Sequence, residues 1–149
     1  MRPISPKRAR LLRKVKPVRD EYRAMFPFCQ VPWCRAKATQ IHEISRGPAR
    51  GASLGVRAAI LHLCEFDHGQ MDWLPVEAQL ALKLLADPDG YDRLAVNVLR
   101  GRQPEAITAD QVDRWVKVLQ EADERDPNAL RTLAHEAIVQ RMGKPSDFQ

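Results

Sequence analysis

The cysteines and most of the histidines of this chain are confined to one short segment. All three cysteines, and all but one of the four histidines, lie between residues 29 and 68. Two cysteines are separated by four residues, Cys29-x4-Cys34, and the third begins the sequence Cys64-x2-Asp67. Thiolates a few residues apart on either side of a turn can share a tetrahedral ion, and zinc also accepts a carboxylate ligand. The spacing therefore predicts a zinc knuckle built from three cysteines and Asp67.

Two alternatives to this ligand set remain open at the level of sequence. His62 is a second candidate for the fourth ligand. The three cysteines can instead be small buried hydrophobic residues in a site that holds no metal. An odd number of cysteines is too few for a disulfide framework in a chain of 149 residues, so reduced thiols in a cytosol-like compartment are expected.

The two halves of the chain carry opposite charge. Residues 1–63 hold 14 Lys and Arg against three acids, a formal charge of +11, whereas residues 64–149 hold ten against 16, a charge of −6. A strongly basic half in a small protein most often indicates binding to nucleic acid, although a basic tail can also serve solubility alone. The longest apolar runs fall well short of 18 residues, which excludes a membrane-spanning helix.

Proline and glycine divide the chain into three parts. Nine Lys and Arg lie in the first 23 residues, where Pro3, Pro6 and Pro17 are expected to interrupt any long helix and leave a flexible or partly helical arm. Residues 26–74 read as short pieces, with a hairpin strand over 38–45, a basic glycine-rich loop over 46–57, and a short helix that ends near Met71.

Helical signals dominate from residue 75 onward. Pro75 is expected at the first turn of one helix, a second helix spans Tyr91–Leu99 and closes at Gly101, and Thr108 with Gln111 forms a capping box before a third. Asp126 and Pro127 begin a last helix that ends near Gly143. The third helix carries an apolar stripe suited equally to a core or a dimer interface, formed by Val112, Trp115, Val116 and Leu119.

The run from Cys29 to Asp72 resembles the HNH nucleases, or ββα-metal endonucleases, in the zinc-knuckle form common among phage and prophage proteins. His42 and Glu43, flanked by Ile41 and Ile44, stand where the family has a two-residue acid/histidine element at the end of a strand. His68 directly follows Asp67, as the family's helix-opening histidine follows the last knuckle ligand. The position of the family's usual Asn falls on Ala59.

The resemblance implies an α+β fold with a ββα-metal core at residues 26–74, preceded by the basic arm at 1–25 and followed by a helical annex at 75–149 packed on the core. It also implies a metal-dependent DNA endonuclease that hydrolyses phosphodiester bonds. The catalytic Mg or Mn ion would be held by His42, His68 and Asp72. The last two residues are four apart, so that they share one face of a continuous helix.

The water-activating base has two possible positions. In one register Glu43 is the base and His42 a metal ligand; in the other His42 is the base and Ile41 stands at the ligand position. Successive strand residues point to opposite faces, so both side chains reach one site only if the strand bends. In both registers His42 belongs to the site, together with His68.

Several expectations concern partners. Duplex or branched DNA is the expected partner, in the cytoplasm of a bacterial host or phage-infected cell, with no membrane and with a possible phage protein bound through the annex. If the missing Asn at Ala59 marks a degenerate enzyme, the alternative is a non-catalytic DNA-binding or phage assembly or recombination accessory protein. His135 is expected to be an ordinary surface or packing residue.

The residues expected to contact phosphates are Arg8, Arg10, Arg13, Lys14, Arg35, Lys37, Arg46, Arg50 and Arg57.

Overall fold

The computed structural model describes residues 3–44, 50–122, 126 and 128–142. These residues form a mixed α+β fold, which confirms the expected class, and the described part contains no helix long and apolar enough to cross a bilayer. Short 3₁₀ turns occur at Arg57–Ala59 and Met71–Trp73. The elements are α1 (Pro6–Met25), β1 (Gln40–Glu43), α2 (Arg50–Ser53), β2 (Ile60–Leu63), α3 (Glu65–His68), α4 (Val76–Ala86), α5 (Arg93–Leu99), α6 (Ala109–Gln120) and α7 (Ala129–Met142).

A two-stranded antiparallel sheet leads directly into α3. The register pairs His42 with Leu61 and Glu43 with Ile60. All four residues of β2 are buried, which suits its apolar sequence Ile-Leu-His-Leu, because helices and the cysteine-bearing segment cover both of its faces. Only Cys64 separates β2 from α3, so the position of β2 fixes where α3 begins.

The helices after residue 75 were largely predictable from local signals. The capping box of Thr108 and Gln111 is present at the start of α6, and Gly101 adopts a positive φ of 74° just after α5, as expected. Trp115 packs on the main core, so the apolar stripe of α6 faces inward against α4. Small differences occur at the helix starts: Pro75 is the N-cap of α4, and α5 begins at Arg93 after its N-cap Asp92.

The expectation that prolines prevent a long N-terminal helix is wrong. Residues Pro6–Met25 form one helix of 20 residues, with Ser5 as its N-cap and Pro17 in its interior. Pro6 lies in the first turn, where a missing N–H costs nothing, and Pro17 removes only one helical hydrogen bond. Tertiary contacts offset that loss, because Arg19 and Tyr22 are buried against the rest of the molecule.

A buried polar network fastens α1 to α4. The Lys83 ammonium is fully buried and donates hydrogen bonds of 2.9 Å each to the Tyr22 hydroxyl, the Ile60 carbonyl and the Asp87 carboxylate. Arg57 donates two further hydrogen bonds to the same carboxylate, at 3.0 and 2.7 Å. Burial lowers the pKa of Lys83 to about 8, while its bond to Asp87 opposes this shift, so Lys83 stays largely charged at neutral pH.

Candidate metal centre and histidine pair

Three cysteines and one aspartate meet at a single point. The Asp67 Oδ2 atom lies 3.1 Å from the Cys29 Sγ atom and 3.3 Å from the Cys64 Sγ atom, and the sulfurs of Cys34 and Cys64 are 3.9 Å apart. All four ligand atoms lie within 4.8 Å of one another. This cluster of Cys29, Cys34, Cys64 and Asp67 can hold a metal ion.

Two separate chain segments supply these ligands. The Cys29 N–H donates to the Ala36 carbonyl at 2.9 Å, and the Cys34 N–H donates to the Val31 carbonyl at 2.9 Å, which folds the segment between the two cysteines back on itself. Cys64 is the N-cap of α3, and the backbone N–H of Asp67 donates to its sulfur at 3.4 Å. The cluster therefore joins residues 29–34 to the start of α3.

The donor set and spacing fit a tetrahedral zinc ion. Zinc–sulfur bonds of about 2.3 Å in a tetrahedron place neighbouring sulfurs about 3.8 Å apart, close to the 3.9 Å between Cys34 and Cys64. Burial raises the pKa of both the Cys29 and the Cys34 thiol, to about 11 for Cys34. Both thiols are thus protonated at neutral pH without a metal, and metal binding must release their protons.

His62, the alternative fourth ligand, is engaged elsewhere. Its ring Nδ1 atom lies 2.7 Å from the carbonyl oxygen of Phe26, and its backbone N–H donates to the side chain of Gln30 at 2.6 Å. Asp67, not His62, is the fourth member of the cluster.

His42 of β1 and His68 of α3 lie on the same side of the sheet. Their ring centroids are 5.5 Å apart in an edge-to-face arrangement, and His42 is almost fully buried. The His42 Nε2 atom lies 2.7 Å from the Oε1 atom of Gln79 in α4. The amide nitrogen of Gln79 already donates to the carbonyls of Met71 and Leu74, so Oε1 must accept and His42 carries its proton on Nε2.

Glu43 points away from this pair, toward α1. Its carboxylate lies 3.6 Å from the guanidinium of Arg8 and 3.5 Å from that of Arg19, and the side chain is buried. Arg19 also donates to the Leu54 carbonyl at 3.2 Å. The alternation of the strand thus places His42 and Glu43 on opposite faces, with His42 on the face of His68.

Asp72 lies outside the helix of His68. Helix α3 ends at His68, and Asp72 follows in the Met71–Trp73 turn, because Gly69 and Gln70 end the helix between them. Within the described residues, the cysteine–aspartate cluster is the one group of three or more His, Cys, Asp and Glu ligands whose atoms lie within 4.8 Å of each other. The donor atoms of His42, His68 and Asp72 do not converge to that extent, so this arrangement does not fit a divalent ion held by all three.

Asp72 instead lines a cleft of about 310 Å³ together with Gln79, Arg100 and Arg102. Gln79 also binds His42, so this cleft is adjacent to the histidine pair. Burial lowers the pKa of Arg100, the charge of Arg102 lowers it further, and Glu77 opposes both effects. Sequence reasoning did not place Arg100, Arg102 or Gln79 among the candidate site residues. The Arg-Gly-Arg sequence after α5 was the only signal for the two arginines.

The residues expected to contact phosphates fall into different settings. Arg10, Arg13, Lys14, Arg35 and Lys37 are exposed, whereas Arg8 pairs with Glu43 and Arg57 with Asp87. Arg46 and the side chain of Arg50 lie outside the described residues.

Ala59 and His135 also have defined places. Ala59 is fully buried, and its carbonyl accepts from the Ile44 N–H at 2.8 Å, so it supplies backbone but no polar side chain beside the hairpin. His135 is exposed on α7 and lines a second cavity beside α3.

Comparison of the chain with family models, with curated proteins and with solved structures gives no match.

Proposed function

We propose that this protein is a zinc-supported, metal-dependent DNA endonuclease that hydrolyses phosphodiester bonds at the face shared by His42 and His68. The observation that carries the proposal is the hairpin-and-helix unit of β1, β2 and α3, in which these histidines lie with ring centroids 5.5 Å apart. The cysteine–aspartate cluster anchors the same helix. A strand histidine and a helix histidine beside a zinc knuckle is the arrangement that the HNH resemblance implies.

The zinc ion belongs to the cluster of Cys29, Cys34, Cys64 and Asp67 and has a structural role. A complete set of four protein ligands leaves no position for water or substrate, as is typical of structural zinc. By joining residues 29–34 to Cys64 and Asp67, it would fix α3, and with it His68, against the hairpin.

Within the histidine pair, His42 is the better candidate for the base. Phosphodiester hydrolysis needs a group that takes a proton from water, and a histidine is suited to this at neutral pH. The proton on Nε2 of His42 is fixed by Gln79, as a positioned base requires. Glu43 lies on the opposite face between Arg8 and Arg19, which favours a structural role for its carboxylate.

The cleft next to the pair is suited to a phosphate. Arg100 and Arg102 both line it, and neither has an ion-pair partner among the described residues. Guanidinium groups bind phosphate oxygens through paired N–H donors, and they stabilise negative charge that develops there. The metal dependence in this proposal comes from the HNH resemblance: a divalent Mg or Mn ion would neutralise charge at the scissile phosphate, but His42, His68 and Asp72 do not converge to hold it together.

Nicking of supercoiled plasmid tests the proposal. Purified protein carrying zinc is assayed with added magnesium or manganese, alongside His42→Asn, His68→Ala and Glu43→Gln variants. Loss of a general base lowers turnover by about 10²–10⁴-fold, so we expect a loss of that order for His42→Asn and less than about tenfold for Glu43→Gln. His68→Ala removes the second histidine of the same face and should also lower turnover. Asp113→Asn on the exposed face of α6 is the control and should match the wild type.

The variants also separate the two assignments of the base. A loss of turnover for Glu43→Gln as large as that for His42→Asn would mean that Glu43 takes part in hydrolysis. Full activity in both histidine variants would rule out hydrolysis at this face.

A second candidate is a DNA-binding protein of the same architecture that does not cleave. Two observations favour it: Ala59 supplies no polar side chain where the family has Asn, and the ligand atoms of His42, His68 and Asp72 do not converge. Tight, salt-sensitive DNA binding by zinc-loaded protein without nicking in any metal would select this candidate over the first.

A further inference from the structure

A cavity of about 410 Å³ lies between α3, the Met71–Trp73 turn and α7. Two of its walls are the aromatic rings of Phe66 and Trp73, which are 55% and 61% exposed. Isolated exposed aromatic residues need no explanation, but two that line one cavity form a platform for a flat ligand. Phe66 lies two residues before His68 in α3, so the cavity and the candidate hydrolytic face are built on the same short helix.

One residue that lines the cavity carries a buried hydrogen-bond acceptor that lacks a donor. Gln70 lines it and is only 8% exposed. Its amide nitrogen donates to the Phe66 carbonyl at 3.4 Å, which orients the group, while its Oε1 atom has no partner among the described residues. Buried acceptors are almost always satisfied, so Oε1 is suited to receive an N–H from a ligand.

One arginine and one histidine from α7 also line the same cavity. Arg131 and His135 are four residues apart on α7, so both extend from one face of that helix. Arg131 is exposed and has no ion-pair partner in the part of the chain that the structure describes. Aromatic rings, a buried acceptor and an exposed arginine together match the three parts of a nucleotide-binding site, namely stacking, an edge contact and a phosphate contact.

We propose that this cavity binds an unpaired base of a DNA strand. The base stacks on Phe66 and Trp73, an N–H on its edge donates to the Gln70 Oε1 atom, and a neighbouring phosphate contacts Arg131. The choice of DNA as the ligand rests on the proposed function. Base binding in this cavity would narrow the substrate of the proposed nuclease to DNA that carries an unpaired base, such as a single strand, a flap or a branch.

The test is binding of a fluorescent single-stranded oligoadenylate, measured by anisotropy without added magnesium or manganese. Phe66→Ala removes the stacking platform, and Phe28→Ala is its matched control, since Phe28 is 62% exposed but lies outside the cavity. Loss of one stacked base typically weakens binding on the order of tenfold. We therefore expect about that loss for Phe66→Ala and less than twofold for Phe28→Ala.

Gln70→Leu separates a ligand contact from a structural role. It removes the unsatisfied acceptor at similar volume, so the melting temperature should hold or rise while the affinity for the oligonucleotide falls. A lower melting temperature with unchanged affinity would mean that Gln70 serves the fold alone, which would overturn its part in the proposal.

Two further probes identify the ligand. An abasic oligonucleotide of equal length keeps the phosphates but offers no base, so it should bind the wild type as weakly as the oligoadenylate binds Phe66→Ala. Equal binding of both strands to the wild type would overturn the proposal. Adenosine monophosphate that binds as tightly as the strand would make a free nucleotide the ligand and overturn the assignment to a strand. Binding that depends on the nucleobase, without plasmid nicking, would refute the proposed nuclease activity but not the proposed nucleobase site.

Discussion

Two ion pairs of the same spacing show how much the surroundings of a residue decide its role. Lys83 and Asp87 are four residues apart and buried, while Lys16 and Asp20 are also four residues apart but exposed on α1. Exposed pairs contribute little to stability, whereas removing one partner of a buried pair leaves the other charge without compensation. The same sequence pattern is therefore structural in α4 and nearly neutral in α1.

Asp87→Asn should destabilise the fold strongly. The substitution leaves the buried ammonium of Lys83 and the guanidinium of Arg57 without their shared carboxylate, and we expect the free energy of unfolding to fall by about 3–5 kcal/mol. Urea unfolding of the zinc-loaded protein at neutral pH measures it. Asp20→Asn is the matched control and should leave the unfolding midpoint close to that of the wild type. Equal midpoints for the two variants would refute the structural role of the network.

The difference in unfolding free energy between the wild type and Asp87→Asn should depend on pH in a defined direction. Burial raises the pKa of Asp87, but hydrogen bonds from Arg57 and Lys83 outweigh it and hold the pKa below its ordinary value of 3.8. The carboxylate therefore contributes stability above about pH 4, and this contribution is lost as the pH falls through the lowered pKa. The difference in unfolding free energy between the wild type and Asp87→Asn should be largest near neutral pH and shrink in acid. A difference that grows on acidification would contradict the sign of this shift.

At the scale of elements, α1 combines a packing face with a basic face. Arg19 and Tyr22 are buried against the hairpin and α4, while Arg10 and Arg13 are exposed. Deleting the helix would remove both faces at once, because the Tyr22 hydroxyl belongs to the Lys83 network. Substitutions on the exposed face test binding alone.

Arg10→Gln with Arg13→Gln should weaken DNA binding and reduce its salt dependence. Removing one cation that neutralises a phosphate lowers the slope of log affinity against log salt by roughly 0.9 on duplex DNA. Anisotropy titrations over a range of salt concentrations measure the slope. The control is Arg114→Gln with Lys117→Gln, an exposed pair of the same spacing on α6 in the acidic half. If the two double variants reduce the slope by the same amount, DNA does not bind α1 in preference to α6.

Local signals predicted some elements well and long-range contacts decided the others. Helix α6 followed from the Thr108–Gln111 box, and the metal cluster followed from the spacing of Cys29, Cys34 and Cys64. Helix α1 could not be predicted, because what stabilises it despite Pro17 is a contact between residues 61 apart in sequence, Tyr22 and Lys83.

The fourth ligand of the cysteine cluster and the identity of the general base were ambiguous in the sequence for a similar reason. The spacing predicted Asp67 but left His62 open as a second candidate. The structure separates them, because Asp67 lies in the cluster whereas the His62 ring contacts the Phe26 carbonyl. The faces of His42 and Glu43 likewise depend on partners in other elements, Gln79 and Arg19. The cleft of Arg100 and Arg102 is lined by residues from Ile44, just after β1, to the loop after α5, and no local sequence pattern relates them to one another.

At the scale of the whole molecule, the cysteine–aspartate cluster is where the parts of the candidate site come together. It links the segment of Cys29 and Cys34 to Cys64 and Asp67 at the start of α3. Helix α3 presents His68 toward His42 on one side and Phe66 toward the cavity of α7 on another. Both the proposed hydrolytic face and the proposed nucleobase-binding cavity thus depend on a helix of four residues, which is too short to be stable alone.

Zinc content measured together with thermal stability is the most direct test of this arrangement. The purified protein should contain one zinc ion per chain, and Cys34→Ser should lose it. Structural zinc contributes folding free energy directly, and each kcal/mol moves the midpoint by about 2–4 °C in a chain of this size. We expect Cys34→Ser, and the wild type after chelation, to melt roughly 10 °C or more below the zinc-loaded wild type. A protein that is purified without metal, takes up no zinc, and melts at the same temperature with and without a chelator would contradict the zinc centre.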